Sequence, residues 1–126
     1  MDALKVGVDI VEIDRVRRAL DRPAFRERCF TEAERAYCDS RAHPAQSYAA
    51  RFAGKEAVGK ALGFGVARAF AWQDVEISGR PKPGVRLSGR VADWARRNEA
   101  GELDLSMTHS RELAAAVCVV RDVDVD

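Results

Sequence analysis

The chain has no run of about 18 apolar residues, so nothing in it reads as a membrane-spanning helix. Its start, Met1-Asp2-Ala3-Leu4-Lys5, lacks the apolar core of a secretory signal. An excess of either charge is missing too. Lys and Arg number 21 against 20 Asp and Glu, for a net charge of +1, so nothing global points to a polyanion and any basic site is local. Aromatic residues make up only 7% and are not interleaved with the basic ones as a nucleic-acid surface requires. Cys29, Cys38 and Cys118 are odd in number, have no paired metal-ligand spacing and adjoin no histidine. They read as reduced thiols of a cytoplasmic protein. No internal repeat of solenoid spacing is present. What remains is 126 residues, 33% charged and 47% hydrophobic, which suits one soluble domain over residues 1–126 with an ordinary core.

The chain centres on Arg51-Phe52-Ala53-Gly54-Lys55-Glu56-Ala57-Val58-Gly59-Lys60-Ala61-Leu62-Gly63. Ala, Leu and Lys favour helix, and Gly63 and Gly65 stop it. Phe52, Glu56 and Lys60 are spaced by four and share one face. A carboxylate one turn from an ammonium, with Arg51 and Lys55 close by, suits a metal-bound polyphosphate: the acid holds the cation and the bases hold phosphate oxygens. The plainer reading is a Glu/Lys pair on a solvated helix, worth a few tenths of a kcal/mol.

Before this helix, Lys5 to Val11 alternates as a strand, with Val6, Val8 and Ile10 on one side and Gly7, Asp9 and Val11 on the other. Asp9 is out of place in an apolar strand. Either this is an edge strand with Asp9 in water, or Asp9 is a metal ligand. Glu12 to Leu20 forms a helix with Ile13, Val16 and Leu20 as its buried stripe. Its other faces carry Arg15, Arg17 and Arg18, and Arg22, Arg26 and Arg28 follow Pro23. With Asp14, Asp21 and Glu27 between them, these form either a solvated face or a docking face for an acidic helix. Thr31-Glu32-Ala33-Glu34 has a capping-box pattern that starts a helix running to about Ser40. Arg41 to Gln46 reads as a loop holding His43, with Ser47 capping a helix from Tyr48 to Leu62.

Downstream, Gln73–Ser78 and Val85–Leu87 read as strands joined through Gly79-Arg80-Pro81-Lys82-Pro83-Gly84. Ser88 caps a helix to about Asn98, with Val91, Trp94 and Ala95 apolar. Leu103 to Thr108 is a strand that delivers His109 at its end. A hairpin at Ser110-Arg111-Glu112 leads to Leu113–Val120, read as a central buried strand.

Three stretches, Val6-Gly7-Val8-Asp9-Ile10-Val11-Glu12-Ile13, the Arg51–Gly63 helix and Leu105-Ser106-Met107-Thr108-His109, stand in an order and at separations that resemble the small bacterial holo-acyl-carrier-protein synthases. These belong to the 4′-phosphopantetheinyl transferase superfamily. Phe30-Thr31 with Glu34, Gly63-Phe64-Gly65 and Gly79-Arg80-Pro81 extend the resemblance over nearly the whole chain.

The resemblance implies an α+β fold, with a long helix on a curved antiparallel sheet, and a homotrimer with sites between subunits. It implies transfer of 4′-phosphopantetheine from coenzyme A to a serine of an apo acyl carrier protein in fatty-acid or polyketide synthesis, with adenosine 3′,5′-bisphosphate released. Asp9 and Glu56 match the acidic positions for Mg²⁺, and Lys60 matches the cation that neutralises charge on the transferring or leaving phosphate. Arg51 and Lys55 match coenzyme A positions near the 3′-phosphate, and His109 matches the histidine at the nucleotide phosphates. Gly63 and Gly65 would admit the cofactor closely. Arg15, with Arg18 and Arg22, matches the surface for the acidic carrier protein. The base for the serine proton is left open between Glu56, a metal-bound water and a carrier carboxylate.

There are departures from the family pattern. Gly54 replaces the usual Ala, Val11 stands where larger relatives carry a second acid, and Pro83-Gly84 lengthens a turn. A Mg²⁺-dependent nucleotide pyrophosphohydrolase and a non-catalytic carrier-binding module are the competing readings. The arginine face argues against the first, and the intact Asp9, Glu56 and Lys60 against the second.

Overall fold

The computed structural model describes residues 4–65, 71–79 and 82–123. In chain order these form β1 (Leu4–Glu12), α1 (Ile13–Ala19), α2 (Pro23–Cys29), α3 (Glu32–Asp39), α4 (Pro44–Leu62), a 3₁₀ turn (Trp72–Asp74), β2 (Val75–Ser78), β3 (Gly84–Leu87), α5 (Gly89–Arg97), β4 (Ala100–His109) and β5 (Leu113–Asp122). The strands make an antiparallel sheet in the order β1-β5-β4 and a separate β2-β3 pair. α4 packs across one face of the larger sheet, touching all three of its strands. This is the expected α+β architecture of a long helix on an antiparallel sheet.

Strand and helix meet almost backbone to backbone. A Cβ on Gly7 would lie 2.0 Å from the Ala57 carbonyl oxygen and 2.5 Å from the Ala61 nitrogen, so only glycine fits. The alternation of β1 therefore puts Gly7, Asp9 and Val11 against α4. Val6, Val8 and Ile10 point away from the helix and remain 61%, 60% and 61% exposed. In register, Asp9 pairs with Ala116 and Val8 with Val117. β5 is central, as expected, but it is buried on one face only: Ala114, Ala116, Cys118 and Val120 lie inside, while Leu113 and Val117 are partly open. Its unbroken apolar run reflects two different faces, one against α4 and one left partly open among the described residues.

α4 begins at Pro44, four residues before the expected start at Tyr48. Proline disfavours helix at His43 but suits the first helical position, where no N–H is needed. The helix ends in a Schellman motif. Phe64 N–H donates to the Gly59 carbonyl (2.9 Å) and Gly63 N–H to that of Lys60 (3.2 Å), with Gly63 left-handed at φ 73°. Gly54 is explained by packing, since a Cβ there would lie 2.7 Å from the Ile77 δ-methyl and 3.2 Å from Met107 Sδ.

The capping box on α3 forms: Glu34 N–H donates to Thr31 Oγ1 (3.2 Å) and Thr31 N–H to Glu34 Oε1 (2.9 Å). α2 was not expected, because it is only seven residues long and is opened by Pro23. Ser88 occupies the N-cap position of α5 but its side chain does not cap. The Asp74 carboxylate takes that role, accepting from Arg90 N–H (2.9 Å) and Val91 N–H (3.4 Å). The expected strand from Gln73 is a 3₁₀ turn up to Asp74 for the same reason.

Candidate active site

Two elements bring the acids together. β1 presents Asp9 toward α4, and α4 carries Glu56 and Lys60 on the turns flanking the Gly7 contact. Lys60 Nζ donates to Asp9 Oδ1 (3.0 Å) and to the Val8 carbonyl (3.0 Å). Lys60 is about half exposed and Asp9 only 15%. Burial pushes the Glu56 carboxyl above the usual range, the Asp9 charge adds to this, and Lys60 partly offsets it. Two carboxylates that repel one another and share a single exposed ammonium are short of positive charge. Among the described residues no third acid, histidine or cysteine completes a protein-only metal cage. That donor set fits Mg²⁺, which is content with one or two carboxylates and fills its octahedron with water and phosphate oxygens. Asp9 thus lies on an edge strand without facing open water.

Arg51 and His109 meet in a different place, a cleft of about 320 Å³ beside the start of α4. Tyr37, Arg41, His43, Gln46 and Ser47 share its wall. Arg51 is 4% exposed and its Nε is buried without a partner. His109 is exposed at the end of β4. The first turn of α4 has no side-chain cap and no acid, which leaves its positive end free for an anion. Asp9, Glu56 and Lys60 are not part of this cleft. Lys60 lies nine residues from Arg51, about 14 Å along the helix at 1.5 Å per residue.

Lys55 does not join either group, contrary to the expectation of cofactor contact. It is fully buried, and its three donors are all used: Glu34 Oε1 at 2.6 Å, the Trp72 carbonyl at 2.8 Å and the Val75 carbonyl at 2.6 Å. Glu34 Oε2 in turn accepts from Ile77 N–H at 2.8 Å. Burial holds the Lys55 ammonium below its ordinary range, and Glu34 works against that shift. Within this chain Lys55 ties α4 to α3 and β2. Gly63 is an exposed helix terminator and Gly65 is exposed beyond it, while Arg80 and Pro81 lie outside the described residues. The three cysteines are free and buried, and burial raises Cys29 and Cys118 to about 11 and Cys38 to about 12, so none is a thiolate nucleophile at neutral pH.

Arg15, Arg18 and Arg22 surround a third cleft of about 700 Å³, floored by Ile10, Val16, Phe25 and Phe52. Among the described residues none of the three forms an ion pair, whereas Arg17 pairs with Asp14 and Arg26 with Asp39.

The family described as the 4′-phosphopantetheinyl transferase superfamily matches residues 5–118. The chain belongs to that superfamily. It is 48% identical over 122 residues to a holo-[acyl-carrier-protein] synthase of Moorella thermoacetica, covering 93% of each chain. Among solved structures, it superposes on the holo-(acyl-carrier-protein) synthase of Bacillus anthracis in complex with CoA (3′,5′-ADP), with TM-score 0.77, 32% identity and coverage of 95% of this chain and 99% of that one. It also superposes on the Helicobacter pylori holo-[acyl-carrier-protein] synthase in complex with coenzyme A, with TM-score 0.78, 33% identity and coverage of 91% and 98%.

For a phosphopantetheinyl transferase, two residues of the Arg51 cleft escaped sequence reasoning. Tyr37 lies on α3 and Arg41 just after it, and neither carries a motif. The only available signal was that both fall in the stretch between the capping box and the central helix.

Proposed function

We propose that this chain moves the 4′-phosphopantetheine arm of coenzyme A onto a serine hydroxyl of an apo acyl carrier protein. The serine oxygen forms a bond to the β-phosphorus, the bridging P–O bond to the adenosine-bearing phosphate breaks, and adenosine 3′,5′-bisphosphate leaves. The carrying observation is the convergence of Asp9, Glu56 and Lys60 at the Gly7 contact, in a chain of this superfamily. Phosphoryl transfer needs positioning and charge neutralisation more than an enzyme nucleophile, and the buried thiols agree with that. Asp9 and Glu56 would hold Mg²⁺, which supplies positive charge to the pyrophosphate. Lys60, exposed and already held by Asp9, is suited to neutralise charge on the transferring or leaving phosphate. Arg51 and His109 are suited to the nucleotide phosphates by cationic and hydrogen-bonding chemistry.

Intact-mass analysis of an apo carrier protein incubated with this protein, coenzyme A and Mg²⁺ tests the reading. The expected result is a gain of one phosphopantetheine arm that EDTA abolishes. Free phosphopantetheine with an unmodified carrier would replace the transferase by a hydrolase.

The unpaired arginines at the 700 Å³ cleft support docking of an acidic carrier helix. Arg15→Glu is expected to raise the carrier KM by tenfold or more, about 1.4 kcal/mol, with the coenzyme A KM unchanged. Equal rises in both would remove the docking role.

The outward stripe of Leu4, Val6, Val8 and Ile10, continued by Val117, supports assembly of copies into a homotrimer. Along α4 Arg51 is offset from Glu56 by about 8 Å and from Lys60 by about 14 Å, which supports complete sites shared between neighbours. Val8→Arg is expected to give monomers by sedimentation and to lose transfer with them. A trimer that survives this change would exclude the stripe as the interface.

A further inference from the structure

Tyr37 takes no part in the transfer proposed above, yet two guanidinium groups lie against its ring. Arg51 Cζ sits 4.1 Å from the ring centroid and Arg41 Cζ 5.5 Å from it. All three residues line the 320 Å³ cleft. The Tyr37 hydroxyl makes no hydrogen bond among the described residues, so the ring face is what engages the arginines. Arg51 is nine-tenths buried, has no carboxylate partner among the described residues, and keeps an unpaired Nε. A guanidinium in that state calls for an anion from outside the chain. The uncapped first turn of α4 opens on the same space and adds positive potential.

An arginine side chain has several freely turning bonds. Holding two of them against one ring removes that freedom before the ligand arrives, which lowers the entropic cost of binding. Two guanidiniums lining one cleft suit a terminal phosphate monoester, whose three oxygens accept paired N–H donors, better than a diester.

We infer that Tyr37 is a positioning residue: its ring holds Arg51 and Arg41 for a phosphate monoester and so sets the preference for coenzyme A over its form lacking the 3′-phosphate. This rests on the transferase reading above. The phosphate reaches Arg51 and Arg41, and Tyr37 acts only through them.

The test is steady-state transfer by Tyr37→Phe, Tyr37→Leu and Arg41→Gln, each with coenzyme A and with dephospho-coenzyme A, at saturating apo carrier. Tyr37→Phe keeps the ring and should match the wild type. Tyr37→Leu should raise the coenzyme A KM about tenfold, leave kcat within about twofold, and leave the dephospho-coenzyme A KM unchanged. Arg41→Gln should shift the same KM in the same direction. Equal shifts with both substrates, or a fall in kcat alone, would overturn the inference and leave Tyr37 a packing residue. If Tyr37→Leu does not fold by circular dichroism, Arg41→Gln decides, and an unchanged coenzyme A KM there overturns it. If the wild type modifies no carrier at all, the transferase reading fails separately. Calorimetric binding of adenosine 3′,5′-bisphosphate to wild type and Tyr37→Leu then decides, and equal affinities count against positioning.

Discussion

Glu56→Gln is expected to lower Mg²⁺-dependent transfer by about a thousandfold, in line with the loss of one essential electrostatic contact, while leaving the fold intact. The two halves of this result have one cause. Burial and the neighbouring Asp9 charge both disfavour the Glu56 carboxylate, so its folded-state pKa is raised. The folded protein then binds more protons than the unfolded chain between the ordinary carboxylate value and the raised one, and stability falls as pH rises through that interval. A neutral amide removes that penalty. Metal-free Glu56→Gln should therefore melt no lower than the wild type at neutral pH and lack the wild type's decline across the acidic window. Mg²⁺ should raise the melting temperature of the wild type and not of the variant. Scanning calorimetry with and without Mg²⁺, beside the mass assay, separates the outcomes. Full transfer by Glu56→Gln would remove the metal assignment.

The second large effect falls on stability. Lys55→Met strands the Glu34 carboxylate in the core, where it is fully buried. Breaking a buried pair from one side costs about 3–5 kcal/mol, and urea denaturation should show a loss of that size. Replacing both partners, Lys55→Met with Glu34→Gln, should recover only part of it: the uncompensated charge is gone, but the buried Trp72 and Val75 carbonyls still lack their donor. If the single variant were as stable as the wild type but bound coenzyme A weakly, Lys55 would belong to the cofactor site after all.

Lys55 and Glu56 are neighbours in sequence, and they mark where the sequence is legible and where it is not. The glycine-acid strand, the Lys-Glu helix and the histidine-ending strand were readable because each is local and their order is distinctive. The α+β fold follows from them. Lys55 and Lys60 lie on different faces of α4, about 140° apart at roughly 100° per residue, and the projection alone does not say which face is covered. What separates them is the cover: Trp72 and Val75, 17 and 20 residues beyond Lys55, close over it, while Lys60 stays open to solvent. No periodicity carries that information. The same holds for Asp74, which caps α5 from 16 residues upstream of Arg90 in place of Ser88, and for Tyr37, whose partner Arg51 lies one helix away. The start of α4 was missed for a different reason. Pro44 reads as a loop residue because it disfavours helix before it, yet the same proline is well suited to the first turn of a helix.

The contact at Gly7 works mechanically as a short lever. Asp9 is two residues along β1 from the point where strand and helix backbones touch, and Glu56 and Lys60 each adjoin one of the two α4 residues, Ala57 and Ala61, that make the touch. No side chain intervenes between the fulcrum and either arm. The spacing of the acids is thus fixed by backbone stiffness rather than by the fit of surrounding side chains. Core residues elsewhere can drift in size over evolutionary time without detuning the acids, and a single methyl group at position 7 would spread them.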